Sequence, residues 1–201
     1  MEEKLETREK IIEAAYMCFS EKGYLGTKTK EIAKSARVSE VTLFRYFRTK
    51  LTLFEAVIKH YSILPDLEKI ASEEDGRSLE EILKYIAEQI YLTLRKKKRL
   101  IRILLSEITN HPNEISEVYN SFLNEVDSIF LKIFENKKKE VQLREDLNLK
   151  LAVRGFHCML FSSFQSNEIF LKRELSKEEI KDSVDTFVKV FLDGIKKEEK
   201  K

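Results

Sequence analysis

The 201-residue sequence predicts an all-α fold of about nine helices, and three observations support this prediction. Only five glycines and two prolines occur in the chain, so few residues interrupt regular structure. Lysine, glutamate and leucine, which favour helices, are abundant. Apolar residues recur at three- and four-residue intervals through most of the sequence. We therefore expect a chain that is nearly all helix, with short connections.

Four helices are predicted within the first 65 residues. Their expected positions are about 7–22, a short segment that begins after 27, about 40–47, and 50–64. Side chains suited to N-caps precede them: Thr7, Thr27, Ser39 and Thr49. Gly23 is predicted to end the first helix and Pro65 the fourth, because both residue types interrupt helices at such positions.

Five further helices are predicted after a polar stretch at 72–77, which we interpret as a linker. They begin after Ser78, near 100, at Pro112, near 147 and after Ser176. The basic run at 95–99 interrupts the apolar pattern, which favours a solvated junction between helices over a second nucleic-acid-binding patch. The eighth helix, about 147–168, is apolar nearly all the way round. Other helices should therefore cover it on two opposite sides.

Positive charge is concentrated in one segment of the chain. The net charge is only +2, but residues 28–50 carry seven basic and two acidic side chains, a local charge of +5. The rest of the chain is therefore slightly acidic. A basic end on an acidic body indicates contact with phosphate through that end.

No apolar run approaches the roughly 18 residues that span a bilayer, and the N-terminus is charged throughout. We therefore expect a cytoplasmic protein without a membrane partner. Cys18 and Cys158 both lie in apolar helical patterns, which favours reduced thiols in the core over a disulfide.

The sequence carries no recognisable catalytic or metal-binding motif. His60, His111 and His157 are spread over separate helical regions, and His157 and its neighbour Cys158 point about 100 degrees apart on a helix. A nucleophile and a base arranged in that way do not meet. There is no CxxC, HExxH, P-loop or dinucleotide fingerprint. We therefore expect neither an enzyme nor a protein with a cofactor or a bound metal.

Residues 34–47, KSARVSEVTLFRYF, contain two short helical patterns joined by a tight turn. Leu43 and Phe47 are four residues apart, with Phe44 nearby, and are expected to pack inward. The positions that then look outward are Val41, Thr42 and Arg45. So short a helix is marginal alone, so neighbouring helices must hold it. Two helices with a tight turn and a basic rim are typical of helix-turn-helix proteins, whose second helix enters the major groove of DNA.

The longer stretch GYLGTKTKEIAKSARVSEVTLFRYFRTKLTLFEAV, residues 23–57, resembles the N-terminal DNA-binding domain of the TetR family of repressors. The shared pattern is Gly-aromatic, Thr, Ile-Ala, a turn ending in Val-Ser, Leu-aromatic, Phe, and a Lys that opens the next helix. The resemblance implies a three-helix DNA-binding domain over 1–50. It also implies a larger helical domain for ligand binding and dimerisation over 51–201, starting with the connecting fourth helix.

Two residues depart from the family pattern. Phe44 stands where the family often has Tyr, which removes one hydroxyl contact to the DNA backbone. Arg37 stands where the family usually has Gly. The turn therefore either strains a non-glycine residue, at a cost of about 1 kcal/mol, or adopts another geometry.

The resemblance also implies which side chains meet a double-stranded DNA operator. The residues expected to face DNA from the second and third helices are Thr29, Lys30, Glu40, Val41, Thr42 and Arg45. Those expected at the phosphate backbone are Phe44, Tyr46, Thr49 and Lys50. The chemistry agrees, since arginine hydrogen-bonds guanine or phosphate, and valine and threonine methyl groups contact the thymine methyl.

A homodimer is expected, because its two DNA-binding domains can then reach major grooves that lie about 34 to 36 Å apart on a palindromic operator. The eighth and ninth helices are predicted to form the dimer surface. Small residues on the eighth let two helices approach closely, which gives Gly155 a reason to lie inside a helix. The predicted interface residues are Leu151, Gly155, Cys158, Ser162, Val184, Phe187, Val188 and Phe191.

The family resemblance further implies a pocket for a small-molecule effector in the C-terminal domain. The candidate lining residues are Tyr85, Gln89, Asn110, His111, Phe122, Phe156, His157, Met159 and Phe161. Most of them fit a plain core equally well, because aromatic residues at helical spacing are usually core. Charged candidates are scarce, so the effector should be fairly apolar.

The expected function is a repressor that an effector releases from DNA by binding a second state of the dimer better. The sequence does not determine whether the effector weakens or strengthens DNA binding, so a co-repressor or activator mode remains an alternative. A non-specific or architectural DNA-binding protein is a further alternative, which the confinement of positive charge to one end disfavours.

Overall fold

The computed structural model describes residues 2–72, 76–110, 112–137 and 140–197. Across these ranges the chain forms ten α-helices and one π-helix, and its β-structure is limited to a single bridge between Leu143 and Lys196. The α-helices are α1 Glu2–Gly26, α2 Thr29–Ser35, α3 Glu40–Tyr46, α4 Lys50–Tyr61, α5 Leu64–Ser72, α6 Leu79–Lys96, α7 Lys98–Asn110, α8 Pro112–Asn136, α9 Leu149–Phe164 and α10 Lys177–Ile195, and the π-helix is Gln165–Phe170. The predicted all-α fold is confirmed. None of the described helices is both long and apolar enough to cross a membrane.

The additional helix is α5, which the sequence analysis did not assign. Pro65 was expected to end the fourth helix, but α4 already ends at Tyr61 and Pro65 is the second residue of α5. Proline is tolerated in the first helical turn because no intrahelical acceptor is available there for an N–H group.

The first helix also differs from its prediction. It starts at Glu2, so Thr7 lies inside it and is not its N-cap. Gly23 breaks the helical geometry as expected, with φ 76° and ψ 175°. A short helical stretch nevertheless follows the kink and ends at Gly26.

The predicted N-caps Ser39, Thr49 and Ser176 are confirmed, whereas Thr27, like Thr7, does not cap its helix. Ser39, Thr49 and Ser176 accept hydrogen bonds from backbone N–H groups in the first turns of α3, α4 and α10. Thr27 does not cap α2, whose N-cap is Lys28. The buried Thr27 hydroxyl instead donates to the carbonyl oxygen of Gly23 at 2.7 Å, because the kink at the end of α1 leaves that acceptor available.

The chain forms two compact units. The first unit comprises residues 1–62 and 97–122, and the second comprises 63–96 and 123–201. The proposed functional division at residue 50 stays a prediction. In the first unit, α1, α4 and α7 pack together and support α2 and α3. Its centre contains Phe19 and Phe54, whose rings meet edge to face at 5.1 Å between centroids.

The second unit is built on contacts of α6 with α9 and α10. Phe156 lies at its centre, stacked on Phe191 at 4.7 Å between ring centroids and edge to face with Phe130 at 6.0 Å. Phe191, Val184 and Val188 were predicted at the dimer surface, and this prediction is wrong. The three side chains are buried within the chain itself.

The basic run at 95–99 is a junction between helices, as predicted, since α6 ends at Lys96 and α7 begins at Lys98. It is not simply solvated. Arg95 donates to the buried Glu168 carboxylate at 2.7 Å. Lys97 lies over the rings of Tyr16 and Tyr61, at 4.9 and 4.3 Å from their centroids.

The two cysteines are free thiols. Cys18 is half-buried, but Cys158 is exposed, so the prediction of a core thiol is wrong for Cys158. The reason is its position on the outer face of α9, where the apolar pattern of that helix continues into solvent.

Candidate nucleic-acid interface

The turn between α2 and α3 is closed by two backbone hydrogen bonds. Val38 N–H donates to the Ala33 carbonyl at 3.0 Å, and Arg37 N–H donates to the Lys34 carbonyl at 3.2 Å. Arg37 has φ 56°. This bond pair and a left-handed residue directly after the C-cap define a Schellman motif, which satisfies the last carbonyls of a helix. Of the two geometries left open by the sequence, the structure has the strained one.

Helix α3 is held in place from its inner face and from its N-cap. Leu43 is fully buried and Phe47 is 5% exposed, as predicted. Ser39 Oγ accepts a hydrogen bond from Thr42 N–H at 3.0 Å. The guanidinium of Arg8 lies 5.4 Å from the centre of the Phe47 ring. A seven-residue helix gains its stability from such contacts, so its outer face is presented on a fixed support.

The outer face of α3 carries Val41, Phe44 and Arg45. Val41 is 81% exposed and Phe44 is 41% exposed. Phe44 therefore does not pack inward with Leu43 and Phe47, because a residue one position after Leu43 is turned about 100 degrees away. Thr42 is half-buried, and its hydroxyl lies 2.9 Å from Ser39 Oγ.

The predicted polar residues on α2 and α3 meet across the turn. Thr29 Oγ1 donates a hydrogen bond to Glu40 Oε1 at 2.5 Å. Glu40 is thus held against α2, whereas the neighbouring Lys30 is exposed.

The residues predicted at the phosphate backbone fall into two groups. Thr49 is exposed and caps α4, where its Oγ1 accepts from Thr52 N–H at 3.0 Å. Lys50 and Tyr46 are half-buried. The Lys50 ammonium lies 4.5 Å from the centre of the Tyr24 ring and donates to the Leu25 carbonyl at 3.4 Å, so it also supports the fold.

Six exposed cations lie on α2, on α3 and in the segments that flank them. They are Lys28, Lys30, Lys34, Arg37, Arg45 and Arg48. The residue-by-residue prediction named only Lys30 and Arg45 from this set. The local charge of +5 was the sequence signal that could have identified the others.

The predicted dimer residues on α9 share its exposed face. Leu151 is 67% exposed, and Gly155, Cys158 and Ser162 are exposed as well. A shallow, open cavity of about 510 Å³ lies beside them, lined by Gly155, Cys158, Met159, Ser162, Ser163, Ser166 and Phe187. Val190 on α10, which was not among the predicted interface residues, is 58% exposed.

The predicted effector residues differ in burial and belong to both units. Phe122 packs on the core of the first unit, and Phe156 is fully buried in the core of the second. Tyr85 is 42% exposed beneath the Arg77 guanidinium. The half-buried candidates are Gln89, Met159 and Phe161. His111 and the side chain of Asn110 lie outside the described residues.

His157, the remaining pocket candidate, belongs to a buried charged cluster in the second unit. Its Nε2 lies 2.9 Å from Oδ1 of the fully buried Asp127, and Arg154 Nε donates to the same carboxylate at 3.0 Å. Burial lowers the pKa of His157, an effect that Asp127 opposes. Burial alone would raise the pKa of Asp127, but the hydrogen bonds from Arg154 and His157 outweigh it and lower that pKa. The described residues include no group of three side chains that could hold a metal ion.

Comparisons with known proteins agree with the geometry of α2 and α3. The family model of bacterial regulatory proteins of the tetR family matches residues 11–57. A second model, the C-terminal domain of AefR-like transcriptional repressors, matches residues 78–194.

Relatives and solved structures resemble the chain over most of its length. The "Probable HTH-type transcriptional regulator YttP" of Bacillus subtilis is 33% identical over 150 residues, which cover 74% of this chain and 71% of YttP. IcaR of Staphylococcus aureus, the negative transcriptional regulator of the biofilm operon icaADBC, is 28% identical over 92% of this chain and 98% of its own.

Among solved structures, the complex of SmeT with triclosan has a TM-score of 0.69 and 20% identity, covering 96% of this chain and 92% of SmeT. SmeT is the repressor of the multidrug efflux pump SmeDEF of Stenotrophomonas maltophilia. At this identity the likeness shows the fold. Together with the family models, which span the helix-turn-helix segment and most of the remaining helices, these findings show that the chain belongs to the TetR family of transcriptional regulators.

Proposed function

We propose that this regulator is a dimeric repressor that binds a palindromic operator through α2 and α3 and is released by a small, fairly apolar effector. The observation that carries the proposal is the presentation of α3. Its inner face and N-cap hold it on the first unit, while Val41 and Arg45 remain exposed in a segment, 28–50, that carries six exposed cations. The cations bind phosphate and so position the DNA-binding domain. The exposed side chains of α3 contact base edges in the major groove.

Repression is favoured over activation as the effect on transcription. The family model that matches residues 78–194 is named for a repressor, and the similar IcaR is named as a negative regulator. A protein bound at an operator excludes other proteins from the same DNA. Operator binding also places its site of action in the cytoplasm.

The dimer is proposed to form through the exposed face of α9 with Phe187 and Val190 of α10. Gly155 lies on this face with open space around its α-carbon, so another helix can approach closely. The open cavity beside Gly155, with Phe187 at its wall, offers a recess for side chains of a second copy. The buried residues of α10 that belong to the core are Val184, Val188 and Phe191.

An apolar effector is proposed by analogy with SmeT, whose solved complex holds triclosan. The candidates of the second unit that remain accessible are Tyr85, Gln89, Met159 and Phe161. An effector shifts the dimer between two states only if it binds one of them better. Triclosan is therefore a practical first probe: it is expected to weaken operator binding and raise the melting temperature. Tighter operator binding would instead identify a co-repressor.

Operator binding can be tested with DNA selected from a random library by the full-length protein. Fluorescence anisotropy then compares the selected sequence with a shuffled one at the same salt concentration. Specific binding is expected to be at least about 10³-fold tighter than binding to the shuffled DNA. Similar affinity for both sequences would identify a non-specific DNA-binding protein, and no binding to either would reject the proposal.

A pair of charge variants locates the contact on the protein. Lys30→Ala with Arg48→Ala removes two exposed cations from each protomer, and therefore four from the dimer. The slope of log affinity against log salt should fall by about 3.6. The matched control is Lys132→Ala with Lys181→Ala, which removes two exposed cations from the second unit. An equal effect of both pairs would contradict the proposed interface.

A further inference from the structure

The junction between α6 and α7 is a single residue, Lys97, because α6 ends at Lys96 and α7 begins at Lys98. The chain passes at this point from the second compact unit into the first. One residue has only two soft dihedral angles, so the connection has little freedom of its own. A displacement of the end of α6 is therefore passed on to the start of α7.

In the second unit, Arg95 anchors the junction to the connection between α9 and α10. Its Nε and Nη2 atoms donate to Oε1 of Glu168 at 2.7 and 2.5 Å, and Nη2 also donates to the Leu175 carbonyl oxygen at 2.7 Å. Glu168 lies in the π-helix, Gln165–Phe170, and its side chain is fully buried. One guanidinium thereby holds both the π-helix and the segment that leads from it toward α10.

Stability alone does not account for the buried pair of Arg95 and Glu168. Replacing a buried ion pair by well-packed apolar side chains is often neutral or stabilising, because taking charges out of water is costly. π-helices are rare, and they are frequent at functional sites. A buried carboxylate on a π-helix therefore indicates a role other than packing.

In the first unit, two aromatic rings hold Lys97. Its ammonium lies 4.9 Å from the centroid of the Tyr16 ring in α1 and 4.3 Å from that of the Tyr61 ring in α4. The two rings are themselves in contact, with centroids 4.1 Å apart. Cation–π attraction keeps the ammonium over these rings. Helix α1 in turn packs against α2 of the candidate nucleic-acid interface.

We propose that Arg95 and Lys97 make the α6–α7 junction a coupling element, which passes a change at the π-helix of the second unit to α1 and α4 of the first. Its two states are the junction with Arg95 bound to Glu168 and the junction with this pair broken. An effector that binds the second unit better when the pair is broken shifts the protein toward the second state. The coupling deepens the proposed effector response, and its use in releasing DNA rests on that proposal.

The test measures amide hydrogen exchange of the full-length protein without DNA. Glu168→Gln removes the charge that holds Arg95, and both residues belong to the second unit. We nevertheless expect amides around Tyr16 and Tyr61 of the first unit to exchange at least about fivefold faster. Arg95→Lys lacks the planar fork of donors and should act in the same direction, which keeps the test decisive if Glu168→Gln does not fold.

Asp127→Asn is the matched control. Asp127 is also a fully buried carboxylate of the second unit, and it also accepts a hydrogen bond from an arginine, Arg154. At an equal loss of global stability, measured by denaturant unfolding, it should accelerate exchange around Tyr16 and Tyr61 much less than Glu168→Gln does. Equal acceleration in the two variants would reflect general destabilisation and would overturn the inference.

A double variant tests the route through Lys97. Lys97→Met keeps a long apolar side chain at the rings but removes the ammonium. In this background Glu168→Gln should no longer accelerate exchange around Tyr16 and Tyr61, because the contact that receives the change is already lost. A persistent acceleration would place the route elsewhere, for example in α8, which also runs from one unit into the other, and would contradict the inference. No DNA is present, so a failure of the coupling and a failure of the proposed operator binding are separate results.

Discussion

At Arg37 the backbone adopts the left-handed conformation, with φ 56°, that allows the chain to turn from α2 into α3. The turn is needed because it places the N-terminus of α3 outward. Glycine reaches this conformation without a steric penalty, whereas a side chain costs roughly 1 to 2 kcal/mol. The exposed guanidinium lies among the other cations of the proposed interface, which supplies a functional reason to retain it.

Arg37→Gly is therefore expected to raise the free energy of unfolding by about 1 kcal/mol relative to Arg37→Ala. Both variants remove the charge, but glycine alone relieves the strain at φ 56°. Denaturant unfolding measures the difference. Both variants should also weaken operator binding and flatten its salt dependence equally if the guanidinium binds phosphate. Equal stability of the two variants would show that the turn is unstrained.

His157 provides a second prediction at the residue scale, because burial lowers its pKa in the folded protein. The unfolded chain takes up a proton near pH 6.5, whereas the folded chain resists it beside Arg154. Protonation therefore favours unfolding, and stability should fall as the pH decreases below about 6.5.

His157→Gln should reduce this loss of stability between pH 7.5 and 5.5, measured by denaturant unfolding. Glutamine can still donate to Asp127, which accepts from His157 Nε2 at 2.9 Å if that nitrogen carries the proton. His60→Gln, at an exposed position, is the matched control. A pH dependence that is unchanged in His157→Gln would contradict this assignment.

Single residues were predicted well where local chemistry determines the outcome. The caps Ser39 and Thr49 and the left-handed option at Arg37 follow from rules that act over three or four residues. Thr27 was misassigned because its hydroxyl bonds to α1 across a kink. Phe44 was misassigned because it is turned about 100 degrees from Leu43 around the helix, which places it toward solvent.

At the scale of elements, the kink that ends α1 is joined to α7. Glu107 Oε1 accepts a hydrogen bond from Tyr24 N–H at 3.0 Å. A β-carbon on Gly23 would lie 2.5 Å from the same oxygen, so only glycine admits the carboxylate. Its backbone, at φ 76° and ψ 175°, is also in a region that is essentially restricted to glycine.

Gly23→Ala should therefore destabilise the protein by about 2 to 4 kcal/mol, from backbone strain and loss of the Glu107 hydrogen bond. Gly76→Ala is a useful control, since Gly76 has φ 73° but open space around it. In a Glu107→Ala background, Gly23→Ala should cost about 1 kcal/mol less, because the clash has gone. Strict additivity in this double-mutant cycle would contradict the proposed coupling.

The amphipathic pattern predicted most helices but not the role of each face. In α10, apolar residues occupy both the buried stripe, which includes Val184 and Val188, and the outer positions Phe187 and Val190. The sequence does not reveal which stripe meets the chain's own core when both are apolar. Helix α5 was missed because the proline was interpreted as a stop when it lies in the first turn.

At the scale of the whole molecule, the proposal requires that two copies of the chain associate. Leu151 and Val190 are large apolar residues on the proposed dimer face, 67% and 58% exposed. They lie on the two helices proposed to form the interface, where an exposed apolar patch would mark an interaction site. The sequence predicted dimerisation and named Phe187 on α10, but burial was needed to remove Val184, Val188 and Phe191 from the face and to add Val190.

Leu151→Asp with Val190→Asp is expected to convert the dimer into a folded monomer with greatly weakened operator binding, because each charge would be buried at the interface. Sedimentation velocity at micromolar concentration measures the assembly. Lys150→Asp with Lys189→Asp, which also adds acidic groups at exposed positions of the same helices, is the control. A dimer that survives the first pair and binds the operator would place the interface elsewhere.

The central claim is that the operator meets the protein through α2, α3 and the start of α4. Amide hydrogen exchange of the full-length protein, with and without the selected operator, tests it most directly. Slower exchange is expected within residues 28–50 when operator is bound, and little change in α10. If residues 28–50 were unaffected and protection appeared instead at the second basic run, 95–99, the assignment of the DNA-binding face would be wrong.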